Sequence, residues 1–493
     1  LKTDILLYVD GATTDESLIF KTEFLPDKLT ESLKINGIND IYFSIPENYS
    51  GRLSGREKTI QRKQDNEIES WKSVFSATGS DHLVKIFADS PFTDPTVITE
   101  MLDLHLKYMS EFTYSENLPE GVTCEIFSRE LIEALPEIKD RVLPLGQVIR
   151  SNINQFDVEL FYKDPDIRDK RISFRSGIAR DRMIMERIID RHGRVPSYSE
   201  IKDIIDSNPQ VLYTGPSYLE LELTGRCDLD CVFCYRNTLK KVHGDMDIGM
   251  LNKIIAGMTD FGLPYSLCLG GSGEPMMHTG FYEALESILS DTLLKSLFIE
   301  TNGLYADSGY AAFIKGKADP RIKTIFNMNA HDSETYRALH RGDHFETVYK
   351  NAMGLYDAVV DKDTVFIQIM KINETEPYLD KYYDFWEPLK IQIILQKQST
   401  CLGRIPDRRY SDLSPLDRIP CWHLQRDAYI LSDGRVAFCK QDVDCVNQKG
   451  DLKTESLKEI WDRRIDDFIS DYRKKYPANP DCMSCDEWYT FNY

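Results

Sequence analysis

Nothing in the sequence is apolar for long enough to cross a bilayer. No run approaches the roughly 20 residues that a spanning helix needs, and no signal-peptide pattern opens the chain. The expected location is the cytoplasm, with no membrane partner. An excess of positive charge is also missing. Lys and Arg number 60 against 80 Asp and Glu, a formal net charge of -20, whereas a nucleic acid needs a basic face to neutralise its phosphates. That excludes nucleic acid as a bulk partner. There is no internal repeat and no low-complexity tract. A disulfide framework is not indicated either: the 11 cysteines are odd in number and mostly clustered, which suits metal ligation in a reducing compartment. What remains is 493 residues with 42% hydrophobic and 28% charged content. That is ordinary for globular protein and long enough for two to four domains of roughly 100–200 residues each.

The chain divides by pattern. Residues 1–165 alternate short apolar runs ("DILLYVDG", "DIYFSIP", "HLVKIFAD") with helical stretches such as "PTVITEMLDLHLKYM", which reads as an α/β domain. Residues 166–214 are charged and irregular, with a short helical piece around "YSEIKDIIDS", and read as a connector. From 215 to 400 the alternation becomes regular. "SYLELEL" (217–223) turns Leu219, Leu221 and Leu223 to one side and Glu220 and Glu222 to the other, a strand pattern. Further strands are expected at 265–271, 296–302, 322–329, 364–370 and 391–396, with helical patterns between them. Six βα units imply a parallel sheet with right-handed crossovers, curled into a partial (βα)6 barrel. Residues 410–493 are cysteine-rich, with little hydrophobic periodicity outside "SLKEIWDRRIDDFISDY". A segment so poor in core is expected to need a metal staple.

The densest chemistry lies in "TGRCDLDCVFCYRN" (224–237), where Cys227, Cys231 and Cys234 form a C-x3-C-x2-C run directly after the first barrel strand. The carboxyl ends of barrel strands are where barrel chemistry sits. Taken alone, the run also fits a zinc knuckle or three structural cysteines. With Tyr235 beside its last cysteine, it resembles the signature of the radical S-adenosylmethionine (SAM) superfamily. The resemblance implies that the three thiolates bind a [4Fe–4S] cluster whose open iron is chelated by the amino and carboxylate groups of SAM. It further implies reductive cleavage of SAM to a 5′-deoxyadenosyl radical that abstracts hydrogen from a substrate, the cofactors carrying the hard step.

Later strand ends extend the likeness over residues 215–400. "LGGSGEPMMH" (269–278) looks like the family's GGEP motif. It implies close backbone approach to the ligand at Gly271 and Gly273, and a carboxylate at Glu274 that accepts from the SAM ammonium. "ETNG" (300–303) is similar to the ribose-side motif, with Asn302 as donor and acceptor. Asn329 falls where the family has a polar residue reaching SAM, and a strand-end turn residue is an equal reading. "FIQIMKINETE" (366–376) resembles family members around Gln368. Asp228 departs from the Asn that commonly follows the first cysteine. His340 and His344, in "HRGDH", read as a turn and not as a ligand pair.

A second cysteine set follows the barrel. Cys421, then Cys439 with Gly434 in the turn before it, then Cys482 and Cys485 as C-x2-C resemble the SPASM/twitch class of radical SAM extensions. The resemblance implies one auxiliary [4Fe–4S] cluster on these four thiolates, with Cys445 a spare that could compete. A four-cysteine zinc site is the alternative, although zinc ribbons use two paired knuckles. Cys124, Cys268 and Cys401 are isolated and read as small buried hydrophobes.

In the N-terminal domain, "FADSPFTDPTVI" (87–98) and "ENLPEGVTCEIFSRELI" (116–132) resemble the acylneuraminate cytidylyltransferases of polysaccharide biosynthesis. There, the residue equivalent to Asp89 helps hold a divalent metal beside nucleotide phosphates. The phosphate loop departs from the family: "FKTEFLPDKL" keeps Lys28 but puts Asp27 where Gly belongs, adding negative charge and removing a flexible backbone donor. A degenerate nucleotidyltransferase-like domain, kept for binding, is expected. The whole resembles the spiro-SPASM group. The resemblance implies a peptide, protein or sugar substrate and a reductant such as flavodoxin or ferredoxin. The rivals are a bifunctional enzyme with an active transferase, and a non-catalytic iron–sulfur or zinc module that recognises a nucleotide-sugar.

Overall fold

The apolar runs of the N-terminal region pair edge to edge into one mixed sheet. The computed structural model describes every residue except 54–57, 64–66, 136–143, 412–413, 475–480 and 491–493. It divides into two units, Leu1–Leu212 and Tyr213–Tyr493. Among the described residues the first unit holds a seven-stranded sheet in the order Thr59–Arg62, Ile41–Pro46, Thr3–Tyr8, His82–Phe87, Glu125–Ser128, Phe112–Ser115, Val158–Phe161. The first four run parallel, and Glu125–Ser128 is antiparallel to both neighbours. Thr3–Tyr8 is buried at every position, as a central strand covered on both faces should be.

Helix Pro95–Tyr108 starts where Asp94 accepts from the Thr96 N–H at 2.9 Å, and it stops at Met109 in the left-handed region. Residues 166–212, read from the sequence as a connector, belong to this first unit. They form helices Ala179–His192 and Tyr198–Ser207, the second opened by a capping box of Ser197 and Glu200. The Tyr198 N–H donates to Asp94 at 2.8 Å, so one carboxylate serves two helix starts.

In the second unit, strands Tyr218–Leu221, Tyr265–Leu269, Leu294–Thr301, Ile322–Phe326, Val365–Lys371 and Gln392–Lys397 pair parallel and in chain order. Helices between them include Ile248–Thr259, Phe281–Leu289 and Phe345–Ala358. Tyr218, Cys268, Phe298 and Ile325 cluster with Phe366 and Ile394. That is one side chain from each of the six strands, the layered filling of a barrel interior.

The C-terminal segment departs from its expectation. Strand Asp427–Ile430 pairs parallel with Tyr218–Leu221, and Arg435–Val436 and Gly450–Asp451 carry the sheet to nine strands among the described residues. Helices Leu457–Arg463 and Ile465–Tyr472 follow. Trp461 is 1% exposed, stacks on Tyr213 at 5.0 Å and donates its indole N–H to the Thr214 carbonyl at 2.6 Å. Burying an indole removes about 150–250 Å² from water, worth roughly 4–6 kcal/mol before entropy. The segment read as core-poor also buries apolar side chains of its own against Tyr213 and Thr214. Its apolar residues look aperiodic because they serve a sheet edge and two short helices instead of one long amphipathic face.

Candidate functional site

Strand Tyr218–Leu221 gives way to a loop that carries Cys227, Cys231 and Cys234, all free thiols and partly exposed. The Val232 N–H donates to the Leu339 carbonyl at 2.9 Å and the Cys234 N–H to that of Cys231 at 3.1 Å. The Arg226 guanidinium grips Asp245 at 2.7 and 2.8 Å. Burial pushes the Cys231 thiol up, and Cys234 and Cys227 push it further, so the three sulfurs feel one another. Cys227 and Cys234 are raised by burial as well. Thiols of this kind give up protons when a cation compensates for their burial, the chemistry a cationic iron centre needs.

His340 lies at the same spot. Its Nδ1 is 3.1 Å from Cys231 Sγ and its Nε2 3.0 Å from the Met328 carbonyl. Burial lowers its pKa to about 4, so the ring is neutral at physiological pH. The sequence placed it in a turn; it is the last residue of helix Ser333–His340. No local signal links it to a cysteine 109 positions away.

The loops expected to face SAM brace one another. A Cβ on Gly273 would lie 2.0 Å from the Thr224 carbonyl oxygen, so what approaches this glycine closely is the chain's own cysteine loop. Gly271 has φ +92°, in the region that favours glycine. Glu274 is 3% exposed and accepts from Thr301 Oγ1 at 2.8 Å, from the Asn302 N–H at 2.7 Å and from the Met276 N–H at 3.1 Å. Burial raises its pKa to about 7 against these bonds. Asn302 Nδ2 donates to Asp228 Oδ1 at 2.9 Å and lies 4.0 Å from Cys227 Sγ. Asp228, where Asn is usual, thus pairs with the ribose-side motif, and Tyr305 donates to its other oxygen at 3.1 Å. Asn329 ties the fourth strand end to the fifth, accepting from the Met370 N–H at 2.7 Å. Gln368 donates to Asn327 Oδ1 and to Gln396 Oε1.

Glu222 was missed as a site residue. It is 2% exposed, takes both the N–H and the hydroxyl of Ser272 on one oxygen, and those of Ser432 on the other. Only its alternation with Leu221 and Leu223 is visible in the sequence. Lys440, directly after Cys439, was missed too. Burial opposes its ammonium form, but the carboxylates of Glu220, Glu487, Asp427 and Glu300 more than offset this and raise its pKa.

Thiols of the second set feel one another electrostatically. Burial raises Cys421, which also feels Asp471, Cys485 and Cys439; Cys439 is raised by burial and feels Cys485 and Cys482. Cys445 stands apart. It packs with Tyr429, Leu431 and Ala437, and the charges that reach it belong to Arg435, Asp442, Asp433 and Asp451. Among the described residues no three His, Cys, Asp or Glu side chains are set closely enough to hold a single metal ion. A cubane with iron at four corners spreads its thiolates wider than one ion does. In the first unit Asp89 is buried and paired with Arg175, while Lys28 is on helix Leu25–Ser32 beside Glu23. Among the described residues no helix is long and apolar enough to cross a membrane.

Residues 221–385 match the family model described as the radical SAM superfamily, and residues 421–486 that described as an iron–sulfur cluster-binding domain, SPASM. An uncharacterized protein of Treponema pallidum (strain Nichols) is 29% identical over 360 residues, 70% of this chain and 97% of its own length. Among solved structures, Streptococcus suis SuiB bound to precursor peptide SuiA superposes with a TM-score of 0.46 and 16% identity, over 58% of this chain and 73% of that one. A cytidylyltransferase from Leptospira borgpetersenii serovar Hardjo-bovis superposes with a TM-score of 0.37 and 16% identity, over 43% and 96%. The chain is an enzyme of SAM-dependent radical chemistry, with a radical SAM domain at 221–385 that uses a [4Fe–4S] cluster and SAM and an iron–sulfur SPASM domain at 421–486.

Proposed function

We propose that Cys227, Cys231 and Cys234 hold the SAM-binding [4Fe–4S] cluster and that Cys421, Cys439, Cys482 and Cys485 hold one auxiliary [4Fe–4S] cluster. The substrate is a polar one, a peptide, protein or sugar that loses hydrogen. The observations carrying this reading are that Cys227, Cys231 and Cys234 share one strand-end loop and feel one another, and that Cys421 and Cys439 feel Cys485, whereas Cys445 packs among Tyr429, Leu431 and Ala437. When bound, the cluster and SAM supply one electron and the 5′-deoxyadenosyl group that accepts the substrate hydrogen.

The chain's residues position and select. Asp228, fixed by Asn302 and Tyr305, presents a carboxylate next to Cys227. Gln368 and Gln396 continue the alternation of Phe366 and Ile394 on the same face of the sheet, and the bond between their amides orders a polar row above the apolar layer. Amides in this arrangement donate to and accept from hydroxyls or peptide groups, which favours a substrate rich in such groups. A small reductant such as flavodoxin or ferredoxin supplies the electron in the cytoplasm. A working transferase in the first unit is not favoured, because Arg175 already holds Asp89.

The test is anaerobic reconstitution of the full chain, with iron, sulfide and zinc counted and 5′-deoxyadenosine measured after adding SAM and dithionite. About eight irons per chain are expected for two such clusters. Cys231→Ala should lose half of them and form no 5′-deoxyadenosine. Stoichiometric zinc without iron, or normal SAM cleavage by Cys231→Ala, overturns the assignment.

A further inference from the structure

The first unit contains a site of its own. A cavity of about 650 Å³ is lined by Asp10, Lys85, Glu120, Glu125, Arg150 and Arg175 among others, a size suited to a small organic ligand. Its cations lie on aromatic faces. Lys85 Nζ is 4.7 Å from the Phe87 ring centre, Arg175 is 3.9 Å from the same ring, and Arg150 is 5.2 Å from that of Tyr114. This geometry holds a cation in place without using up its charge. Lys85 and Arg150 bracket Glu125 at 2.8 and 3.1 Å, so that corner sets two cations against one carboxylate.

Around Arg175 the balance is the reverse. Arg175 Nη1 donates to Asp10 Oδ2 at 2.7 Å and Nε to Asp89 Oδ1 at 2.9 Å, and Glu120 Oε1 is 3.9 Å from the same guanidinium. The resemblance of this unit to cytidylyltransferases implies a divalent metal at Asp89, and these residues do not fit one. A hard cation needs carboxylate oxygens free to enter its shell. Here both carboxylates are cross-linked by a planar fork of N–H donors. The chain also closes over the remaining oxygen: the Gly177 N–H lies 3.3 Å from Asp89 Oδ2, and a Cβ at Gly177 would be 3.0 Å from it.

We propose that this cavity binds a small bipolar ligand without a divalent cation. A phosphate or carboxylate docks on Lys85 and Arg150, and ammonium or hydroxyl donors dock on Asp10 and Glu120, with Arg175 standing where a metal would. An amino-sugar phosphate and a short peptide both carry this chemistry, and titration calorimetry of the full chain with glucosamine 6-phosphate and with triglycine separates them. One of the two should bind with the same Kd in magnesium and in EDTA. Arg150→Ala, a half-exposed position that should still fold, should weaken it roughly 10- to 100-fold, the loss of a charge-assisted hydrogen bond. A manganese titration followed by EPR should be identical for the wild type and Asp89→Asn. Binding of neither probe, a tenfold gain from magnesium, or a manganese site lost in Asp89→Asn overturns the proposal.

Discussion

Glu222→Gln is the sharpest test of how the second unit holds its parts together. The change is nearly isosteric and replaces one carboxylate oxygen by an NH₂. Oε2 accepts from the Ser272 N–H at 3.1 Å and from the Ser272 hydroxyl, while Oε1 accepts from the Ser432 hydroxyl at 2.9 Å and the Ser432 N–H at 3.4 Å. The new NH₂ settles against Ser432, where the bonds are longer. A hydroxyl can rotate to accept from it; a backbone N–H cannot. One buried N–H is left facing a donor, which costs about 1–3 kcal/mol. Taking about 2 kcal/mol, local opening around 427–432 becomes roughly 30-fold more frequent. Native-state hydrogen exchange resolved by peptide reads this directly. Protection should fall at 427–432 and hold at 265–274, and Ser432→Ala should add little to the Gln variant because it removes the same link. Unchanged exchange at 427–432, or a larger loss in the 270–274 loop, would refute the reasoning.

Replacing both Cys482 and Cys485 by Ala should remove about four irons while SAM cleavage continues, measured by iron count and 5′-deoxyadenosine. In that variant helices Leu457–Arg463 and Ile465–Tyr472 should stay protease-resistant, since Trp461 and Arg464 hold them by packing and by bonds to the Asp427 and Phe438 carbonyls. Gly273→Ala would force a Cβ to within 2.0 Å of a backbone oxygen, an overpacking cost of about 1–3 kcal/mol. Equilibrium dialysis should show weakened SAM binding with the iron of the second set retained. In the first unit His105 lies 2.8 Å from Thr113 Oγ1 and 3.0 Å from His82 Nδ1, and burial, with His82 adding to it, lowers its pKa to about 3. The unfolded chain, with an ordinary value of about 6.5, takes up the proton first. This contribution is full above pH 6.5 and is lost as pH falls towards 3, by at most about 1.4 kcal/mol per pH unit. His105→Gln should flatten that slope in exchange measured on helix Pro95–Tyr108.

Much of the second unit was legible because its signals are local. Strands of alternating or continuous apolar residues fell where expected, and the spacing of Cys227, Cys231 and Cys234 is written within one loop. Helix starts at Asp94, Ser197 and Asp247 follow from side chains that reach only two or three residues ahead. What escaped depends on pairs far apart in the chain. His340 meets Cys231, Glu222 meets Ser432, and Arg175 meets Asp10 and Asp89. None has a period or a motif, because each is set by where two strands or loops happen to be brought together. The role of the 166–212 segment escaped for the same reason. Its value lies in one guanidinium aimed at two carboxylates more than 80 residues away.

One strand pair sets the relation between the two proposed clusters. Tyr218–Leu221 and Asp427–Ile430 run parallel with Leu221 opposite Ile430, and the Glu222 N–H donates to the Ile430 carbonyl at 3.0 Å. Strand Arg435–Val436 then turns back antiparallel to Asp427–Ile430, so Cys439 leaves beside Asp427, at the edge opposite the one where the Cys227 loop leaves. A slip of two residues would preserve which side chains face inward, yet move the second thiol set by about 6.6 Å. Burial pattern alone would tolerate that slip, so something else must forbid it. Arg464 holds the carbonyls at both ends of the segment, on Asp427 and Phe438, and Glu222 holds Ser432 between them. Each contact exists in one register only. Substitutions at Glu222, Ser432 or Arg464 therefore act on the spacing of the two thiol sets as well as on stability, although none of these residues carries a sulfur.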